Sequence, residues 1–262
     1  MALAAGAVEN KGMALSFLEW WGELALFASR VARATCTRPF YLRELVRQMD
    51  EIGTRSLTLV LLAGAALGVV MSLQTRDSLV RFGAKSLLPV VIVFSIIRES
   101  GPIITGLVVS GRVASGIGAQ LGSMKVTEQI DAIEASAVNP YKLLVVTRVL
   151  ACMIMLPLLT IVADASGIFM GWVANTAVDG VSWRHFIEAG FKRVTFSDLL
   201  PSTFRTVVFG LLMGLVSCFQ GMQTTGGTEG VGRSTTSSVV LTSLFIIVAD
   251  VVLVRLIQVT FG

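Results

Sequence analysis

Five apolar runs, each long enough to cross a bilayer, decide most of what this chain can become. They cover 57–75, 87–122, 141–174, 203–222 and 237–260. The hydrocarbon core of a membrane takes about 20 apolar residues of helix. Lipid offers no hydrogen bonds, so a run of this kind must satisfy its backbone internally, as a helix. The run "LTLVLLAGAALGVVMSLQT" at 57–75 holds no charged residue. Runs 87–122 and 141–174 exceed a single crossing, which predicts tilt, bending or extension beyond the bilayer. The fold class that follows is an all-α membrane protein with five transmembrane helices.

Composition agrees. The chain is 54% hydrophobic and 15% charged, against about 25% charged residues in a soluble domain. The net charge of +4 is modest, and the basic residues lie between apolar runs, which excludes a nucleic-acid face. Cys36, Cys152 and Cys218 are far apart, and His185 is the only histidine. Neither a disulfide framework nor a metal site is expected, and no cofactor is implied. Met1–Gly12 lacks the basic start and apolar core of a signal peptide.

Ahead of the first run, "MALSFLEWWGELALFASRVARATCTRPFYLRELVRQMDEIG" mixes Trp20 and Trp21 with Arg30, Arg33, Arg38, Arg43 and Arg47. It is too charged to span and predicts one or two amphipathic helices in the headgroup plane. This divides the chain into an interfacial segment, 1–56, and a transmembrane domain, 57–262. The arginines place the N-terminus in the cytoplasm. Alternation then puts 76–86 outside, 123–140 inside, 175–202 outside, 223–236 inside and the C-terminus outside. Arg184, Lys192 and Arg193 in 175–202 run against that rule, and "SWRHFIEAGF" there predicts a short surface helix.

Within the second run, "FSIIRESGPIITG" sets Arg98 beside Glu99, followed by Gly101-Pro102. A charge at mid-bilayer costs roughly 3 kcal/mol on insertion scales. Pro102 withdraws a backbone donor, which predicts a kink or break near Ser100-Gly101. Exposed backbone at membrane depth is tolerated beside a cavity or protein. The combination points to a pathway or gate, against a static ion pair at a bend or a position at the membrane boundary.

After it come two stripes of small residues four apart: Ser110, Ala114, Gly118 and Gly122, and beside them Gly111, Ser115, Ala119 and Ser123. Such stripes let another backbone approach closely, within the chain or across a dimer. Arg112 is expected to point away from the packed face. Next, "KVTEQIDAIEASAVNP" predicts an amphipathic helix over about 125–138. Thr127 or Ser123 would cap it, Asn139-Pro140 would end it, and Glu128, Asp131 and Glu134 would recur at three-residue spacing. A helix with hydrophobic teeth between two spans fits a docking element for a cytoplasmic partner, or a helix lying on the membrane.

"GTEGVGRS" at 227–234 is close to a phosphate-binding loop, but Arg233 stands where lysine belongs and an apolar span precedes it. It reads as a flexible loop, with "STTSS" capping the last helix. Asp164 and Asp250 are further acids in apolar runs, each a site candidate by default. Asp250 is in reach of Arg255 for a pair, Asp164 is placed near a helix end, and Arg205 is a further secondary candidate.

The stretch "RESGPIITGLVVSGRVASGIGAQLGSMKVTEQIDAIEASAVNPYKLLVVTRVLA" resembles the signature of the MlaE/YrbE family, the permease subunits of MCE-associated ABC lipid transporters. "GMQTTGGTEGVGRSTTSSVV", followed by a span containing "VAD", is similar to that family's C-terminal signature. Ser100 replaces the usual leucine, and Gln120 stands where glutamate is frequent. The resemblance implies an interfacial N-terminal helix, five transmembrane helices and a homodimer in a bacterial inner membrane. It implies a cytoplasmic ABC ATPase that hydrolyses the ATP, so this chain is no enzyme, and a periplasmic MCE-protein carrier for phospholipid, as in systems that maintain outer-membrane lipid asymmetry. Thr127, Glu128, Gln129, Asp131 and Glu134 would couple to the ATPase. Arg98, Glu99, Gly101 and Pro102 would lie at the lipid pathway, and Gly111, Ala114, Ser115, Gly118 and Gly122 at dimer or helix packing. The rival reading is an ion-coupled secondary transporter using Glu99, Asp164 and Asp250.

Overall fold

The computed structural model describes residues 2–35, 37, 40–192, 194 and 196–261; Cys36, Arg38 and Arg193 lie outside the described residues. Among these, nine α-helices follow one another: α1 (Ala2–Thr35), α2 (Leu42–Arg81), α3 (Leu88–Ser95), α4 (Gly101–Val126), α5 (Gln129–Ala135), α6 (Thr147–Asp179), α7 (Trp183–Phe191), α8 (Phe196–Met222) and α9 (Gly227–Phe261). Two π-helical turns, Ile96–Ser100 and Tyr141–Val146, join α3 to α4 and lead into α6. Five segments are long and apolar enough to cross a membrane: Leu42–Arg81, Lys85–Val126, Tyr141–Asp179, Leu199–Met222 and Gly227–Val259.

The basic stretch from Leu42 is not a separate surface helix. It forms the first turns of α2 and runs unbroken into the first span. α1 lies against the bundle through Trp20 and Phe27, whose rings meet Phe219, Phe245 and Tyr141.

Glycines set the closest helix contacts. On α2, Gly64 and Gly68 abut the backbone of Ala163 and Gly167 on α6. On α8, Gly210 and Gly214 abut Cys152 and Val149 of α6. On α4, Gly118 faces Ser238 of α9, and Gly122 faces Thr224. Van der Waals packing drives helix association in lipid, and small residues let it operate at short range. The larger core gathers Val109, Ile117, Leu121, Leu156, Phe209 and Met213. A second cluster, at the α7 end, packs Phe186 of α7 on Leu88, Ile92 and Val93 of α3.

Two expectations change. The Gly-rich stretch 227–234 is helix, not loop: α9 starts at Gly227, itself left-handed (φ 67°) like Gly226 before it (φ 86°). Glu229 pairs with Arg233 one turn on, at 2.9 Å, and helps offset the glycines' weak helix propensity. Arg112, expected to point away from the packed face toward headgroups or an adjoining protein, finds its partner within the chain: it donates to Ser56 Oγ of α2 at 2.7 Å.

At the α7 end, Asp179 accepts from Arg76 in a two-pronged pair at 3.0 Å and meets Lys85 Nζ at 2.7 Å. The carboxylate is 5% exposed, so one acid fastens the end of α2, the turn before α3 and the end of α6. Arg76 and Lys85 keep contact with solvent, which screens the cluster. Asp179→Ala is expected to lower the Tm of the detergent-purified protein by roughly 3 °C. A Tm within 1 °C of the parent, about a third of that shift, would show that the cluster adds nothing.

Candidate functional site

The sequence predicts a kink or break near Ser100-Gly101. The chain does not break there: Ser100 (φ −71°, ψ −38°) and Gly101 (φ −61°, ψ −56°) keep helical angles, and the α-helix is interrupted by a π turn over Ile96–Ser100. The π turn absorbs the proline instead. Gly101 N–H donates back to Ile96 O, five residues away rather than four. The helical donor to Arg98 O would be the nitrogen of Pro102, which carries no hydrogen. Ile97 O and Arg98 O thus lose their α-helical donors, and α8 supplies one to each. Ser202 Oγ donates to Ile97 O, and the Arg205 guanidinium donates to Arg98 O.

Around this turn the structure gathers residues that are far apart in sequence. Arg205, 3% exposed, also pairs with Asp250 of α9 at 3.2 Å. This corrects the expected Asp250–Arg255 pair, because Asp250 faces α8 across the bundle interior. Asp164 is not near a helix end. It sits mid-way along α6, its carboxylate packed on Gly101 so closely that a Cβ there would fall on Oδ1. That oxygen has no hydrogen-bond partner among the described residues. Glycine at 101 is therefore a steric requirement. Arg98 is half-buried with its guanidinium 5.2 Å from the Phe94 ring centroid, a cation–π distance. Glu99 is exposed on the bundle wall.

Two grooves lie along α9 here. One, about 580 Å³, is lined by Glu99, Ser100, Ile103, Asp250, Val254 and Arg255 among others. The second, about 570 Å³, is almost wholly apolar; Leu200, Phe204, Val207, Leu253 and Ile257 line it with Arg205. The Arg205–Asp250 pair stands between them. A charged groove next to an apolar one offers an amphiphile both of its environments.

The small-residue stripes divide. Ser110, Ala114, Gly118 and Gly122 are buried, and Gly118 and Gly122 pack within the chain. A Cβ at Gly111 would meet nothing, and Ser115, half-buried, bonds back to the Gly111 carbonyl. That second stripe is open on the surface of the chain.

α5 is shorter than the helix expected over 125–138. Thr127 ends α4, its hydroxyl bonded to Ser123 O, and left-handed Glu128 (φ 58°) and Ala137 (φ 60°) bracket the seven-residue helix. Its hydrophobic teeth point inward: Ile130 is 3% exposed in the main core, and Ile133 packs against it. Glu128, Gln129, Asp131 and Glu134 are exposed, with Asp131 paired to Lys125 at 2.9 Å.

Sequence reasoning passed over Arg148, which is 1% exposed in α6. Its guanidinium donates to Leu144 O at 2.7 Å and Gln120 Oε1 at 3.0 Å. The signal was present: a lone arginine in the apolar run "VVTRVLACMIM". The unusual Gln120 is therefore a neutral acceptor for a buried cation.

The family description Permease MlaE matches residues 45–256. The chain belongs to the MlaE permease family. Probable ABC transporter permease proteins are similar to it: one from Rickettsia typhi at 33% identity over 92% of this chain and 93% of its own length, and one from Synechocystis at 33% over 79% of each. The protein trigalactosyldiacylglycerol 1, chloroplastic, of Arabidopsis thaliana is 31% identical over 89% of this chain and 67% of its own length. This MlaE-family protein is thus a multi-pass ABC transporter permease. It is a transport subunit, not itself catalytic, and a permease of this kind works with a partner ATPase.

Proposed function

We propose that this permease moves phospholipid, or a similar lipid, between the bacterial inner membrane and a periplasmic MCE-protein carrier. It does so as a homodimer driven by a cytoplasmic ATPase. The observation that carries the reading is the charged groove at Glu99, Asp250 and Arg255 set against the apolar groove between α8 and α9. A headgroup suits the first and acyl chains suit the second. The name of the Arabidopsis relative contains that of a glycerolipid, which supports a lipid cargo. In this reading the N-terminus and α5 are cytoplasmic and α7 is periplasmic. Arg98, Glu99, Gly101 and Pro102 belong to the lipid route, Gly111 and Ser115 face the second protomer, and α5 couples to the ATPase. A nucleotide-driven change must alter the relative affinity of two states for lipid, since equal affinity shifts nothing.

The test is ATP-dependent lipid transfer by the reconstituted complex in vesicles of phosphatidylethanolamine and phosphatidylglycerol. Glu99→Gln is expected to lower the transfer rate at least tenfold, equivalent to about 1.4 kcal/mol, without loss of folded protein. Transfer unchanged in that variant would remove Glu99 from the route. Transfer driven by a pH gradient without ATPase would favour the ion-coupled alternative through Glu99, Asp164 and Asp250.

A further inference from the structure

We propose that Arg205 is a positioning residue. Together with Ser202, it takes the place of the backbone donors missing at Pro102, and so fixes the π turn that aims Glu99 into the charged groove. The argument begins with the ladder. Gly101 N–H is committed to Ile96 O. Ile97 O would take its α-helical bond from Gly101 or its π-helical bond from Pro102, and Arg98 O its α-helical bond from Pro102. None of these donors is free to serve. An unsatisfied carbonyl at membrane depth is costly, so the turn persists only if another element supplies donors. α8 presents two, three residues apart and therefore on one face: Ser202 to Ile97 O and Arg205 to Arg98 O.

A guanidinium suits the second place because its rigid fork serves two acceptors in different directions, which a single ammonium point charge does not. One arm of Arg205 meets the carbonyl of α3–α4, and the other meets Asp250 on α9 at 3.2 Å. Through this one side chain the π turn is tied to α9. The two acids that line the groove, Glu99 and Asp250, therefore keep a set separation. The role is distinct from that of an ordinary ion pair: it exists because residue 102 is proline.

That dependence gives the test. Arg205→Met with Asp250→Asn removes the pair without stranding a charge. It is expected to lower the Tm of the detergent-purified protein by about 5–10 °C. Adding Pro102→Ala restores an N–H at position 102, which bonds Arg98 O itself; at least half of the lost Tm should return. Glu99→Cys, in a Cys36→Ala background, should lose reactivity toward a charged thiol reagent in the double variant and recover it with Pro102→Ala. An additive cycle, in which Pro102→Ala recovers neither Tm nor labelling, overturns the proposal. If the double variant does not fold, Ser202→Ala, which removes one uncharged donor, runs the same cycle with Pro102→Ala and the same criterion.

The inference leans on the lipid-route reading only for the meaning of Glu99. Because the thermal and labelling cycles need no transport, the two fail separately. An intact cycle with no lipid transfer sinks the route alone, and an additive cycle with normal transfer sinks the positioning role alone.

Discussion

Gly68→Ala is expected to lower the Tm by about 10 °C, and Gly68→Leu to abolish monodisperse protein in detergent. A Cβ at position 68 would stand 1.9 Å from Gly167 O, and one at position 64 would stand 2.3 Å from Ala163 O. These obstacles are backbone atoms of a packed helix, and no rotamer change moves them. Overpacking costs typically 1–3 kcal/mol where side chains yield. Here α2 and α6 must separate along their length, so about 3 kcal/mol or more is the working figure, which the size scaling converts to roughly 10 °C. The seam runs from Gly53 at Met155 to the Asp179 cluster, so the damage spreads. Gly232→Ala, in the exposed first turns of α9, is the control. Nothing stands within 4 Å of its Cβ, and alanine favours the helix by up to about 1 kcal/mol. A Gly68→Ala protein as stable as the parent would mean that α2 and α6 do not touch as described.

The second large effect is at α5. Asp131→Lys with Glu134→Lys is expected to reduce ATPase recovery in a pull-down at least tenfold, about 1.4 kcal/mol of binding free energy. Both side chains are exposed, while Ile130 and Ile133 hold the helix in the bundle. The substitution therefore reverses the charge of the outward face without unseating the helix. Like-charge contacts across an interface cost several kcal/mol. Equal recovery of ATPase with the reversed helix would separate α5 from coupling.

The five spans were legible because apolar length is a local property that lipid enforces. The apolar side of α5 was legible as a face, because Ile130 and Ile133 share it, but its direction was not: these teeth, expected to dock a partner or the membrane, pack into the bundle instead. The partners across the bundle were not legible. Asp179 meets Arg76 and Lys85, and Arg205 meets Asp250 and the Arg98 carbonyl; no spacing rule links residues so far apart. The proline signal located the irregularity, since the α-helix gives way to a π turn over Ile96–Ser100 just before Pro102; the α8 donors that serve the Ile97 and Arg98 carbonyls were beyond its reach. The run at 227–234 misled because glycine content argues for a loop, whereas Ser and Thr hydroxyls bonded back one turn, as at Thr235 and Thr236, sit readily in a helix.

α5 has seven residues between two left-handed corners that are not glycine. Each such corner costs about 1–2 kcal/mol, and a stub of two turns has no length in which to flex. If α5 couples to the ATPase as proposed, a push delivered to it would not be dissipated by bowing; it would pass into the end of α4 on one side and toward the π-helical entry of α6 on the other, a short crank joining the two spans that hold Gly101 and Asp164.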